Sequence, residues 1–422
     1  MSSRCTAAAL FSFALISTAS AQEWARFRGP NGTGLGDAKG LPPQVTMADY
    51  EWIVDLGGSG VSSPVLWEKH IFVTSADANA PDSRRLHCLN AETGEKVWEW
   101  VDKFTVHHQH KFNSFASATP VVDAQGIYLV WGSGDKNIAV ALDHQGKVRW
   151  TKDWPNLSSD HGVASSPILV GQVLVVQSEH KDLGTSAIHG LNKETGEEIW
   201  KHERANPPAS DKQKSAYSTP VLVLPKGAEA SKEILVVVNT THGVEGLDPQ
   251  TGKSLWQYNP GFGQRSVGSP IVIEGGTLAL TLGSGGGGKE FAVLRINADA
   301  PPTPLYELPK KAMPYVPTPI AGDGLLYLWG DGGVLTALDA ESGKEVYQER
   351  AGEGTFFSSP VIADGKIFCG SRDGVLVAVK AGPKFELLGS SKLDAGIHGT
   401  PAVALGRLFI RTDTHLISIK GK

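Results

Sequence analysis

Three histidines fall within four positions at His107, His108 and His110, the densest imidazole group in the 422-residue chain. Imidazole nitrogens suit zinc or copper. In an extended strand His108 and His110 would share one face and His107 would not, so at most two ligands converge without special loop geometry. A solvated loop, with no metal, is the expectation. A second candidate runs from Gly283 through four further glycines to Lys289 and begins like a phosphate-cradling loop. Glu290 stands where such a loop needs a magnesium-binding Ser or Thr, and both flanks read as strands, so a glycine-rich hairpin loop is expected. Cys88 and Cys369 lie inside apolar runs, with no CxxC or vicinal pair, and read as buried thiols acting as small hydrophobes. No catalytic residue emerges from these groups.

The elements that carry them are written in the composition. The chain has 49 Gly and 25 Pro without a G-X-Y period, and 41% hydrophobic against 20% charged residues. That is a soluble globular chain with many tight turns and hence many short strands; collagen, a long coiled coil and wholesale disorder are excluded. Arg4, the apolar stretch from Ala7 to Ile16 and Ala19-Ser20-Ala21 read as a cleavable signal peptide over residues 1–21, with the mature chain starting at Gln22. No cysteine follows the cleavage site directly, so a periplasmic or secreted product is expected rather than a lipid-anchored one. The net charge of −5 becomes one unit more negative when Arg4 leaves with the leader. Nucleic acid is therefore an unsuitable partner, because no basic cluster exists to displace counterions.

A Ser/Thr-Pro-aliphatic triplet recurs eight times, with prolines at 64, 120, 167, 220, 270, 319, 360 and 401. The steps are 56, 47, 53, 50, 49, 41 and 41 residues, the length of a four-stranded blade with its turns. Each unit continues with a β-rich run such as Gly126-Ile127-Tyr128-Leu129. A third strand follows, carrying a small residue in a column through Cys88, Ala141, Gly190, Gly246, Ala337 and Ala378. An Asp or Asn then opens a turn, and a glycine leads to an aromatic four residues on: Gly94 to Trp98, Gly146 to Trp150, Gly196 to Trp200, Gly252 to Trp256 and Gly343 to Tyr347. Blade five, with its prolines before Tyr306, and blade seven depart from that spacing. The eighth unit stops before an outer-strand aromatic, and Tyr50-Glu51-Trp52-Ile53-Val54 at the other end supplies what it lacks. The fold class is all-β: an eight-bladed β-propeller of four-stranded blades over residues 50–422, its last blade closed by an N-terminal strand. Residues 22–49 form an extended lead-in packed on the propeller by Trp24 and Phe27.

The five Gly-to-aromatic spacings resemble the tryptophan-docking motif of the quinoprotein (PQQ-like) β-propeller repeat family. In length, blade number and export signal the chain is similar to the BamB-like family of outer-membrane assembly propellers, although it lacks that family's lipid-bearing cysteine. The resemblance implies structural docking roles for Trp52, Trp98, Trp150, Trp200, Trp256 and Tyr347. In a propeller the residues just before each Pro begin the innermost strands and face the channel mouth. Here these include Asn113, His161, Tyr217, Arg265, Tyr315 and His398, with Phe357, a mixture suited to an anionic or aromatic ligand. The expected function is an exported, non-catalytic binding or scaffold protein of the bacterial cell envelope, monomeric and without cofactor, contacting an envelope protein or a small anionic ligand. The alternative is a quinoprotein oxidoreductase using pyrroloquinoline quinone and calcium. Against it stand the missing cysteine pair and the absence of an acidic cluster from which a calcium site could be drawn.

Overall fold

The computed structural model describes residues 24–155, 162–178, 185–205, 216–283, 289–298, 300–306 and 313–422. The leader and His161 lie outside them. The strands form eight antiparallel sheets, one per Ser/Thr-Pro unit. The innermost strand of every blade is three residues long and starts directly after the proline, from Val65–Trp67 in blade one to Ala402–Ala404 in blade eight. Tyr50–Asp55 pairs antiparallel with His415–Lys420 and so supplies the outer strand of the last blade. A two-pronged ion pair fixes that closure: Arg407 Nε and Nη2 donate to the two oxygens of Glu51 at 2.5 and 2.9 Å. Blade one carries one extra short strand, Gly58–Ser59, on the edge of His70–Asp77.

The repeated Ser/Thr has one job in all eight blades. Its backbone N–H donates to the side-chain oxygen of the equivalent residue in the next blade. The chain of bonds runs Ser63 to Thr119 (2.9 Å), Thr119 to Ser166 (3.0 Å), Ser166 to Thr219 (3.3 Å) and Thr219 to Ser269 (2.9 Å). It continues Ser269 to Thr318 (3.0 Å), Thr318 to Ser359 (3.0 Å), Ser359 to Thr400 (3.2 Å) and Thr400 back to Ser63 (3.0 Å). The following proline biases its predecessor toward extended backbone, which suits a residue bonding sideways at the start of a strand. All eight are buried, and a buried N–H needs a partner.

The outer strands lock the blades a second way. In each blade the ladder between the third and fourth strands slips by one residue, and an aromatic stands at the slip in every blade but the seventh, for example between Val148 and Trp150. The aromatic lies opposite the small-residue column: Cys88 faces Trp98, Ala141 faces Trp150, Gly190 faces Trp200 and Gly246 faces Trp256. Five of the rings, those of Trp52, Trp98, Trp150, Trp200 and Tyr306, then cover the turn glycine of the next blade, and the polar atom of each donates to a carbonyl there. Trp52 reaches Ala91 (3.2 Å), Trp98 reaches His144 (2.8 Å), Trp150 reaches Lys193 (2.9 Å) and Trp200 reaches Pro249 (3.3 Å). Tyr306 does the same to Ala340 (2.8 Å) and covers Gly343, so blade five docks through a tyrosine that its irregular spacing concealed. The irregular blades leave their mark upstream instead. Among the described residues Trp256, facing blade five, and Tyr347, facing blade seven, have no partner for Nε1 or the hydroxyl, because neither following turn has the Gly-to-aromatic form.

The N-terminal segment crosses one end of the channel. Trp24 and Ala25 offer carbonyls to Leu66 and Val122 of blades one and two (2.9 and 2.8 Å). Asn31 pairs with both backbone groups of Leu222 in blade four, and Gly34 and Gly36 pair with Ile362 in blade seven. Arg28 is fully buried and donates to the carbonyls of Pro319 (2.9 Å) and Pro360 (3.0 Å); Arg26 reaches Pro220 (2.6 Å). Gly29, at φ 68°, turns the chain so that its Cα faces the Trp24 ring, where a side chain would collide. Both cysteines are buried and unpaired, and burial raises the Cys88 thiol to about 12.

Two outcomes are expected. Thr318→Val keeps the shape but leaves the buried Ser269 N–H without its acceptor, so thermal unfolding should show a loss of about 1–3 kcal/mol, with Thr318→Ser close to the parent. His87 is buried against Ser75 Oγ (2.8 Å); burial first, then the charges of Arg411 and Arg85, lower its pKa to about 3. Glu99, 3.3 Å from Nδ1, pulls the other way, but it is partly solvated and shared with Arg85 and Lys96. An unfolded chain protonates this histidine near pH 6.5. The stability it contributes is therefore complete above about pH 6.5 and drains as pH falls from there toward about 3. His87→Gln should flatten the melting temperature profile across pH 6.5 to 4; parallel profiles would refute the assignment.

Candidate functional site

The end of the channel opposite the N-terminal segment opens into a cavity of about 650 Å³. Four of the residues placed there from the sequence line it together: Asn113, Tyr217, Arg265 and Tyr315, with Phe357. His398 lines a narrower chamber beneath, of about 130 Å³, which shares Tyr217, Val267, Val316 and Phe357 with the cavity above. Phe27 of the N-terminal segment also lines the lower chamber. The convergence follows from the repeat: each residue precedes an inner strand, and all inner strands run in one direction along the channel.

Other lining residues come from turns that the Ser/Thr-Pro column does not mark. Asp331 and Arg372 occupy the same hairpin, between second and third strands, in blades six and seven; Lys289 begins the third strand of blade five. The two turns align when Trp329-Gly330-Asp331-Gly332-Gly333 is laid over Gly370-Ser371-Arg372-Asp373-Gly374, a within-chain comparison that would have found them. Of the three clustered histidines only His110 lines the cavity. His107 packs edge-on against Phe115 (5.0 Å) and His108 is solvent-exposed. Among the described residues no group of three or more His, Cys, Asp or Glu side chains is placed to hold a metal ion. Gly283 and Lys289 are paired ends of two adjacent strands, with no helix opening after them; residues 284–288 lie outside the described ones.

Arg372 is held in the cavity by two rings and one hydrogen bond. Its guanidinium lies 4.0 Å from the Phe112 ring centroid and 4.9 Å from that of Phe357, and Nε donates to His398 Nε2 at 3.0 Å. Arginine only donates, so His398 Nε2 accepts and the ring proton sits on Nδ1, facing Asp413 Oδ1 at 2.6 Å. Asp413 thus orients His398, and His398 orients Arg372. The two Nη groups have no hydrogen bond or ion pair among the described residues, which leaves an oriented fork of donors for a planar anion. Arg265 Nη1 donates to the Tyr315 hydroxyl at 3.2 Å. Among the described residues Asp331 is the one carboxylate lining the cavity. It accepts from the backbone of Tyr315 (2.7 Å) and Val316 (3.1 Å) and from Lys289 (3.2 Å). With Lys289 and Asp331 offsetting each other, Arg265 and Arg372 are the remaining charged side chains among the described lining residues other than histidine.

The family described as outer membrane protein assembly factor BamB matches residues 49–227, 105–297 and 310–382. No curated protein sequence matches the chain. Among solved structures, BamB from Moraxella catarrhalis is 15% identical with a TM-score of 0.60, covering 88% of this chain and 98% of that one. Quinohemoprotein alcohol dehydrogenase from Comamonas testosteroni is 15% identical, with a TM-score of 0.67 and coverage of 96% and 82%. A europium-containing methanol dehydrogenase is 14% identical, with a TM-score of 0.66 and coverage of 93% and 89%. These likenesses are of fold, shared by binding proteins and dehydrogenases alike. The matched segments span about three quarters of the sequence, and the chain belongs to the BamB-like family of PQQ-type β-propellers.

Proposed function

We propose that this chain is an exported, non-catalytic binding propeller of the bacterial cell envelope, and that its channel mouth receives an anionic group carried by an envelope protein or a small molecule. The observation that carries the reading is Arg372: a guanidinium lying over the Phe112 and Phe357 rings, oriented by His398, and with neither Nη group bonded among the described residues, in a cavity of about 650 Å³. That volume lies in the ordinary range of ligand pockets, and its mostly apolar lining with a few fixed polar groups is their usual make-up. Export rests on the leader-like residues 1–21, and among the described residues no helix is long and apolar enough to cross a membrane.

The donor set also bears on the alternative. A quinone dehydrogenase needs a cofactor able to accept two electrons, with a cation and a base beside it, and calcium takes six to eight oxygen ligands. Among the described residues Asp331 is the one carboxylate in the cavity, and it is already committed to two backbone N–H groups and Lys289. Arg265 and Arg372 would repel a divalent cation placed there. The described residues of the mouth therefore do not fit a quinone with calcium.

Two measurements test the reading. The purified protein, supplied with pyrroloquinoline quinone and calcium, should give no dye reduction with alcohols or sugars; substrate-dependent reduction that tracks added quinone would overturn the binding role. Arg372→Met should weaken capture of the native envelope partner or of a carboxylate ligand about tenfold or more, with the melting temperature near that of the parent. Undiminished capture would remove Arg372 from the site.

A further inference from the structure

The lower chamber has a wall unlike the cavity above it. All eight Ser/Thr residues of the inter-blade ring line it, each at least nine-tenths buried. Every one of these hydroxyl oxygens accepts an N–H from the neighbouring blade. A hydroxyl also carries a hydrogen to donate. Among the described residues none of the eight donates a hydrogen bond, so eight buried O–H groups around one chamber of about 130 Å³ have no protein acceptor there.

The charge behind the wall has one sign. Arg28 and Arg411 are both fully buried, and neither has a carboxylate within ion-pair distance among the described residues. Arg28 donates to carbonyls of Pro319 and Pro360 and lies 3.5 Å from that of Thr318, a ring residue. Arg411 Nη1 donates to the carbonyl and hydroxyl of Ser62 (3.3 and 3.1 Å), next to Ser63 of the ring. Burial lowers the pKa of both only to about 9, so both carry charge near neutrality. The opposing groups are few. Asp413 favours the charged form of Arg411 but is more than a third exposed and bonded to His398. The Cys369 thiol near Arg28 is held protonated by burial. Two buried cations, backed by a ring of donors, give a chamber that disfavours a cation and rewards an anion.

We propose that the chamber binds one small inorganic monoanion, of the halide class, held by the ring hydroxyls with the Arg28 and Arg411 charges behind them. The ion sits against neighbouring hydroxyls of the ring, which replace part of its hydration shell, and waters in the chamber complete its coordination. Phe27 lies on the side of the N-terminal segment, so the ion enters from the mouth. This site is independent of what the mouth receives, and it makes the ring a ligand site as well as a fastening.

Crystals of the full chain soaked in sodium bromide test it by anomalous scattering, with a rubidium soak as the opposing arm. A bromide peak inside the hydroxyl ring is expected and no rubidium peak; ordered water alone, or rubidium in place of bromide, overturns the proposal. In solution, replacing sodium gluconate with sodium bromide at constant ionic strength should raise the melting temperature by about 1–3 °C and saturate. Ser166→Ala with Ser359→Ala removes two donors and should abolish that increment. An undiminished, unsaturated shift in the double variant would assign it to general salt effects and sink the site. Should the variant fail to fold, the bromide and rubidium soaks of the parent decide the question.

Discussion

Everything in this molecule hangs on a closed circle of eight bonds, each from a backbone N–H to the side-chain oxygen of the next Ser or Thr around the channel. A β-blade hydrogen-bonds within itself and presents only side chains to its neighbours, so side-chain packing alone must otherwise set how far one blade is rotated from the next. The ring adds a directional bond at the innermost radius, where a small displacement becomes a large one at the rim. Seven of these bonds join consecutive blades. The eighth, from Thr400 to Ser63, joins sequence positions 337 residues apart and turns a row of blades into a ring.

Closure is enforced again at larger radius. The antiparallel pairing of Tyr50–Asp55 with His415–Lys420 and the Glu51–Arg407 ion pair join the two chain ends, and the Trp52 indole over Gly94 docks the blade so completed on the first. The docked aromatics extend the same logic around the outside: a bulge turns each ring outward over a small residue, and the following glycine supplies the space and the positive φ to receive it. Where a turn loses that form, in blades five and seven, the ring before it keeps its packing and loses its hydrogen bond. The fold tolerates this because the inner circle does not depend on it.

With rotation fixed at the centre and the rim, the turns at the channel mouth are released from structural duty. Asp331, Arg372 and Asp413 occupy equivalent turns in three successive blades, yet one steadies a neighbouring loop, one points a guanidinium into the cavity and one orients a histidine. The N-terminal segment makes the channel one-ended by spending its arginines on proline carbonyls of blades four, six and seven. Those carbonyls are adjacent to the ring, so the same residues that fasten the blades position the plug, and the cavity opens on the remaining side.

The sequence by itself determined the blade number, the inner-strand starts and the closing strand. Those features depend on local rules that repeat: a proline after Ser or Thr, an Asp or Asn before a turn glycine, an aromatic four residues on. It also placed Asn113, Tyr217, Arg265 and Tyr315 at one mouth, because residues at one repeat position share a radius and a height. It hid Tyr306 as a docking residue, since prolines shift the spacing in blade five while leaving the ring's destination unchanged. Arg372, Phe112 and the chain from Asp413 through His398 were decided only by tertiary structure. They come from three different segments, and what unites them is a side-chain approach of 3 to 5 Å across the channel mouth, a distance that no periodicity along the chain encodes. The donor role of the ring hydroxyls was equally out of reach: eight Ser/Thr residues are visible in a line of letters, but whether their hydrogens point at protein or into a shared chamber is set by the circle they form.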